Sequence, residues 1–326
     1  MGQQLKLAVR TLLRGSGQVM FQCSAWTGLF FLLGIFWGSY ECHLPQVAWG
    51  AVVGLVFSTL AGFLLKQNVA DGDQGLWGFN GILVGCAFPT FLANTWLMWI
   101  SLALFAMFTT WVRQGFNNVM APWKVNSLTF PFVFMTWIFL LCSRIFEAID
   151  PVGMSHPVAV DVAATAFGVD TGFGHLVIYW LKGVSQVFLI NSWVTGIFFL
   201  VGLALCNKWA AFWAAAASAI SLALALLFKA TPTDVANGLF GFSPVLTGIA
   251  VGMTFYSVHY KTAIWAVLAI VATFFMQAAM DVFFEPWGMP TLTGPFCVTT
   301  WLFLLPLYKF TVADPDHSHW HSAKAK

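Results

Sequence analysis

Gln18 and Gln186 occupy matching positions in two similar stretches of this 326-residue chain, and so do Thr129 and Thr293. A glutamine amide offers two acceptor lone pairs and two N–H donors, and a threonine hydroxyl both donates and accepts. Such groups can bind a small polar solute without reacting with it. Phe79 and Phe242 sit in Gly-Phe motifs, and Leu83 and Leu246 follow each by four residues, on the same face of a helix. Pro131 and Pro295 follow the two threonines by two residues. Gly, Thr and Pro together predict helices that begin or break inside an apolar layer, with freed backbone groups turned to a polar cavity. Singly, each residue has a plainer reading: an interfacial Gln, a packed Phe, a Thr bonded to its own helix. Their recurrence favours the site reading. Gly78, Gly81, Gly85, Gly241 and Gly248 read as helix-packing positions.

No arrangement of residues suggests covalent or acid–base catalysis, so no enzyme is expected. Six cysteines (Cys23, Cys42, Cys86, Cys142, Cys206 and Cys297) lie without CxxC or Cys/His spacing, and neither a metal site nor a cofactor is expected within the spans. The alternating His317, His319 and His321 near the C-terminus could bind Ni²⁺ or Zn²⁺. A solvated tail is the competing reading.

These residues must be held by membrane helices. The chain is 60% apolar and 8% charged, against about 45–50% and about 25% in soluble domains. A water-soluble globule or a disordered chain is excluded, and a net charge of +2 gives no reason to expect nucleic acid. Long continuous apolar runs favour helices over strands. Ten spans are predicted: 18–38, 46–65, 75–91, 93–112 and 128–146, then 186–205, 209–228, 237–255, 262–281 and 290–308. Residues 1–17 and 309–326 form terminal segments, and 147–185 connects the halves. With the N-terminus in the cytoplasm, Lys6, Arg10, Arg14, Lys66, Arg113, Lys124, Lys208, Lys261, Lys309, Lys324 and Lys326 fall inside. Only Arg144, Lys182 and Lys229 fall outside. This is the asymmetry of the positive-inside rule.

The two sets of five spans are copies. Arg14 to Ile35 matches Lys182 to Leu203 with ten identities in 22 positions. Gln74 to Ala87 (QGLWGFNGILVGCA) matches Asn237 to Ala250 (NGLFGFSPVLTGIA), and Trp123 to Leu141 matches Trp287 to Leu305. The offsets are 168, 163 and 164 residues, in one order. An odd number of spans per copy makes the second copy enter the membrane from the opposite face. This is an inverted-topology repeat, whose solute path lies between the halves. The span centres carry almost no ionisable side chain, so nothing replaces the hydration shell of an ion. A small neutral permeant moving passively is expected.

The stretches RGSGQVMFQ with KGVSQVFLI, GLWGFNGILVG with GLFGFSPVLTG, and NSLTFPF with MPTLTGPF resemble the bacterial urea transporter family. The resemblance runs from about Arg14 to Leu305. It implies an all-α integral membrane protein: ten transmembrane helices in two inverted five-helix repeats (18–146 and 186–308) plus re-entrant pore half-helices. It also implies a homotrimer with one pore per subunit, in a bacterial plasma (inner) membrane, passing urea. Carried over by residue, Gln18 and Gln186 resemble the amides of two slots. Phe21, Phe79 and Leu83 look like walls of one slot; Val187, Leu189, Phe242 and Leu246 look like walls of the other. Thr129 and Thr293 look like the hydroxyls of a middle site. Three positions depart from the family pattern: Gln186 where Glu is frequent, Asn126 where Pro is usual, and Ser243-Pro244 opposite Asn80-Gly81. A channel for ammonia, water or short amides is the alternative.

Overall fold

The computed structural model describes residues 2–157 and 168–306. The His317, His319 and His321 tail, the last residues of the 290–308 span and part of the 147–185 connection lie outside the described residues. The described residues are helical, with no strand among them.

The helices come in two series of matching order, and α3 with α10, α4 with α11 and α6 with α13 are equal in length. The first is α1 (Gly2–Gln18), α2 (Ala25–Glu41), α3 (Pro45–Leu64), α4 (Val69–Asp73), α5 (Phe79–Phe91), α6 (Trp96–Met120) and α7 (Phe130–Ser143). The second is α8 (Phe173–Ser185), α9 (Trp193–Cys206), α10 (Lys208–Leu227), α11 (Pro232–Ala236), α12 (Phe242–Ile249), α13 (Tyr260–Phe284) and α14 (Gly294–Leu304). Even the 3₁₀ turns after α6 and α13, Ala121–Trp123 and Glu285–Trp287, correspond. Backbone strain recurs as well. Phe21 and Leu189, Lys66 and Lys229, Leu128 and Leu292, and Gly75 and Gly238 are matched positions with positive φ. Side chains are tolerated there only because the surrounding packing holds them.

Four helices are long and apolar enough to cross a bilayer: Pro45–Leu64, Trp96–Trp123, Lys208–Leu227 and Tyr260–Trp287. A fifth span is possible from Phe173–Phe188 with Trp193–Cys206, which bend by 72° at their junction. The chain is therefore an integral membrane protein. The predicted spans 75–91, 128–146, 237–255 and 290–308 differ from what is observed. They hold shorter helices, of 13 residues in α5, 14 in α7 and 11 in α14. At 1.5 Å per residue these reach about 16–21 Å, short of the about 30 Å apolar layer. Hydropathy counts apolar residues and does not see that Gly78, Thr129, Gly241 and Thr293 start these helices late. The ends of the first spans differ too. Helices α1 and α8 precede Gln18 and Gln186, so residues 2–17 and 173–185 are helical rather than plain connections.

Close packing holds the series together. A Cβ on Gly81 would collide with Ser58, and one on Gly85 with the Gly50 carbonyl, so α3 and α5 touch along their backbones. Between the halves two pairs of hydrogen bonds are reciprocal. Thr27 Oγ1 donates to Gly202 O at 2.8 Å, and Thr195 Oγ1 to Gly34 O at 2.7 Å. Trp301 Nε1 donates to Asn126 O at 2.9 Å, and Trp137 Nε1 to Pro290 O at 2.8 Å. In these two pairs each donor and each acceptor in one half is answered by the matching residue in the other.

Candidate functional site

The short helices α7 and α14 begin beside one another. Thr129 and Thr293 are their N-cap residues, and Pro131 and Pro295 follow in the first turn, where a missing N–H costs nothing. The two threonine hydroxyls lie 2.6 Å apart, both 2% exposed. Thr129 Oγ1 is also 3.4 Å from Cys297 Sγ. The breaks read from the Thr-x-Pro motifs thus meet at a hydroxyl pair.

A cavity opens on each side of this pair. The first-half cavity is lined by Gln18, Val19, Phe21, Phe79, Arg113, Asn117, Asn126, Ser127, Leu128 and Thr129. The second-half cavity is lined by their ten counterparts, Gln186, Val187, Leu189, Phe242, Gln277, Asp281, Pro290, Thr291, Leu292 and Thr293, together with Asp234 and a few others. The first offers about 10 Å³ to a water centre, close to the minimum for one water. The second offers about 300 Å³.

The two glutamines are anchored alike. Gln18 Nε2 donates to Gln74 O at 2.9 Å, and Gln186 Nε2 donates to Asn237 O at 2.9 Å; Gln74 and Asn237 are themselves repeat partners. With the amide nitrogen committed, the amide carbonyl is the group left for a solute. Gln18 Oε1 is buried and has no hydrogen-bond partner. An unmet buried acceptor is costly and marks a place for a donor. Phe21 caps this side with its ring edge-on to Phe255 at 5.9 Å and Phe296 at 6.0 Å. Phe79 lies at the start of α5, under the Arg113 guanidinium at 5.9 Å.

Nine of the eleven residues singled out in the sequence line one cavity or the other. Leu83 and Leu246 do not; both are fully buried in the apolar core one turn beyond Phe79 and Phe242. Sequence reasoning missed Arg113, Asn117 and Ser127, and their counterparts Gln277, Asp281 and Thr291. Each pair shares the 164-residue offset but differs in residue type, so a search for identities passes over them.

These residues correct the picture of a path free of charge. Arg113 was expected in a loop, but α6 runs two turns further and buries it. There it binds Asp71 through Nη1 at 2.9 Å, with side-chain exposures of 8% and 17%. In the second half, Gln277 and Asp234 stand at the positions of Arg113 and Asp71. Gln277 Nε2 donates to Asp281 Oδ1 at 2.8 Å, and Thr291 Oγ1 to the same oxygen at 2.9 Å. Burial pushes the Asp234 carboxyl above its ordinary pKa, against a lowering hydrogen bond from Thr231. Charged side chains therefore line both cavities beside the neutral Gln and Thr positions. Among the described residues no group of three or more His, Cys, Asp or Glu could hold a metal ion.

The model of a known protein family, described as urea transporter, matches residues 9–308. Among characterised proteins, the chain is 28% identical over 298 residues to Urea transporter 1 of Ovis aries and to that of Capra hircus. It is 27% identical over 300 residues to Urea transporter 1 of Rattus norvegicus. Each match covers 90% of this chain and 76% of the relative. The match spans both cavities and the helices that build them, and the chain belongs to the urea transporter family.

Proposed function

We propose that the chain carries urea passively across the membrane through a channel-like path that joins the two cavities at Thr129 and Thr293. The observation that carries this reading is the buried, unpartnered Gln18 Oε1 in a cavity whose ten lining residues all have counterparts in the other. Urea is planar, neutral and rich in N–H donors along its edges. Glutamine carbonyls accept from those donors, and the flat faces of Phe79 and Phe242 suit the molecular plane. Leu83 and Leu246, one turn further into the apolar core, support these rings from behind. Each site is weak, since a solute held tightly would not leave.

The halves are related by a two-fold axis in the membrane plane, as an inverted repeat of 18–146 and 186–308. The reciprocal Thr–Gly and Trp–carbonyl bonds support this, because a two-fold relation pairs i with j and j with i. The self-paired Thr129 and Thr293 then fall near the axis. The two re-entrant pore half-helices of the ten-helix repeat architecture come from the short helices, one in each half. Both termini face the cytoplasm by the lysine and arginine asymmetry. Assembly as a homotrimer in a bacterial plasma membrane follows the family resemblance.

Stopped-flow light scattering of proteoliposomes tests the reading. Urea shrinkage and re-swelling should be much faster with the protein than without it. Ammonia, water and acetamide permeabilities, measured side by side, should rise far less. A larger gain for any of these than for urea would overturn it.

A further inference from the structure

The second half carries a groove that no step of permeation uses. In the first half, α5 closes on α3 through Pro89, whose ring lies against Gly50. At the matching positions the second half has Trp213 and Gly252. Room for the indole is made twice. Gly252 approaches so closely that a Cβ there would lie 2.5 Å from Trp213 Nε1, and α12 ends in a π-helical turn over Ala250–Thr254. Such turns collect at functional sites. Beside it, between α10 and α13, lies a groove of about 840 Å³ lined almost wholly by apolar side chains. Many of these, including Phe212, Ile264 and Leu268, are half-exposed on two bilayer-crossing helices.

One end of the groove is polar. Lys208 Nζ lies 5.9 Å above the Trp209 ring, and Lys261 Nζ lies 5.9 Å above the Tyr260 ring; both rings line the groove. Neither lysine has an acidic partner among the described ion pairs. Both stand at the first turn of a helix, α10 and α13, where the helix dipole also favours an anion. Five residues below Lys208, about 7.5 Å along the helix, the buried Trp213 Nε1–H has no acceptor.

We propose that this groove binds one anionic phospholipid, with its phosphate between Lys208 and Lys261 and an acyl chain along α10 and α13. Two unpaired cations at the mouth of an apolar channel match that molecule. An ester carbonyl of the lipid stands at the depth of the orphan Trp213 donor.

Native mass spectrometry of the purified full-length protein tests this with dioleoyl phosphatidylglycerol against dioleoyl phosphatidylcholine. The wild type should retain phosphatidylglycerol in preference. Lys208→Ala and Lys261→Ala should each reduce that preference about fivefold, the effect of one lysine at an anionic surface. The Lys208→Arg, Lys261→Arg double variant should keep it. Ala216→Trp, which fills the groove wall, should lose both lipids. Equal binding of the two lipids by the wild type, or a preference that survives loss of both lysines, overturns the proposal. So does a disulfide between copies formed by Ala216→Cys in native membranes, which would put a second protein in the groove. Elution profile and thermal midpoint establish that each variant is folded. Should Ala216→Trp fail to fold, the lysine variants carry the test.

Discussion

At the scale of single residues, the site is a set of acceptors and flat walls. Gln18 has one job for each end of its amide: Nε2 ties it to Gln74 O, and Oε1 faces the cavity unmet. Gln18→Leu keeps the size and removes both. Losing one hydrogen bond of about 1 kcal/mol in a transient complex should slow urea flux about fivefold, as stopped-flow rates would report. Gln186→Leu should act alike; wild-type rates in both variants would refute the slot assignment. Thr129→Val leaves the Thr293 hydroxyl without its 2.6 Å partner, and the double variant with Thr293→Val removes both hydroxyls of the proposed middle site. Permeation should be slower in the double variant than in either single one. These residues were legible in the sequence because identical types recur at one offset. Arg113 and Gln277 were not, because the repeat conserves the position and changes the chemistry.

At the scale of elements, the differences between the halves are the informative part. The Arg113–Asp71 pair fastens α6 to α4 below Phe79. Removing one member of a largely buried pair leaves the other charge stranded, at a cost of about 3 kcal/mol. Arg113→Gln should therefore lower the thermal midpoint markedly. Adding Asp71→Asn should recover most of it, because no charge is then left unpaired. Glycine positions give a second contrast. Gly85→Ala drives a methyl into the Gly50 carbonyl and should separate α3 from α5, whereas a Cβ at Gly115 in α6 meets nothing. Gly115→Ala should be neutral or stabilise by up to about 1 kcal/mol, read as the same midpoint. Hydropathy found the long helices α3, α10 and α13 well and all but the polar last two turns of α6. It overran α5, α7, α12 and α14, where the backbone turns at Gly75, Leu128, Gly238 and Leu292 before the helix can start. Their lengths are set by that geometry and not by composition.

At the scale of the whole molecule, the low charge content of 8% acquires a mechanism. Charged groups line both cavities, Arg113 paired with Asp71 in the first half and Asp234 and Asp281 in the second. Beside them stand amides, rings and the threonine pair, which offer a hydrated ion no replacement for its water. A carrier driven by Na⁺ or protons needs a coupling site on the path that both halves can expose in turn. The Thr129–Thr293 junction carries no carboxylate, imidazole or cationic side chain to serve as one; beyond the two hydroxyls it has the buried thiol of Cys297. Urea should therefore run down its own gradient only. In proteoliposomes, flux with an imposed Na⁺ gradient, a proton gradient, or a protonophore present should be the same within error. Inside and outside urea should become equal and stay equal. Accumulation of urea above the outer concentration under any of these gradients would contradict a passive path and would direct the search for coupling to Asp234 and Asp281.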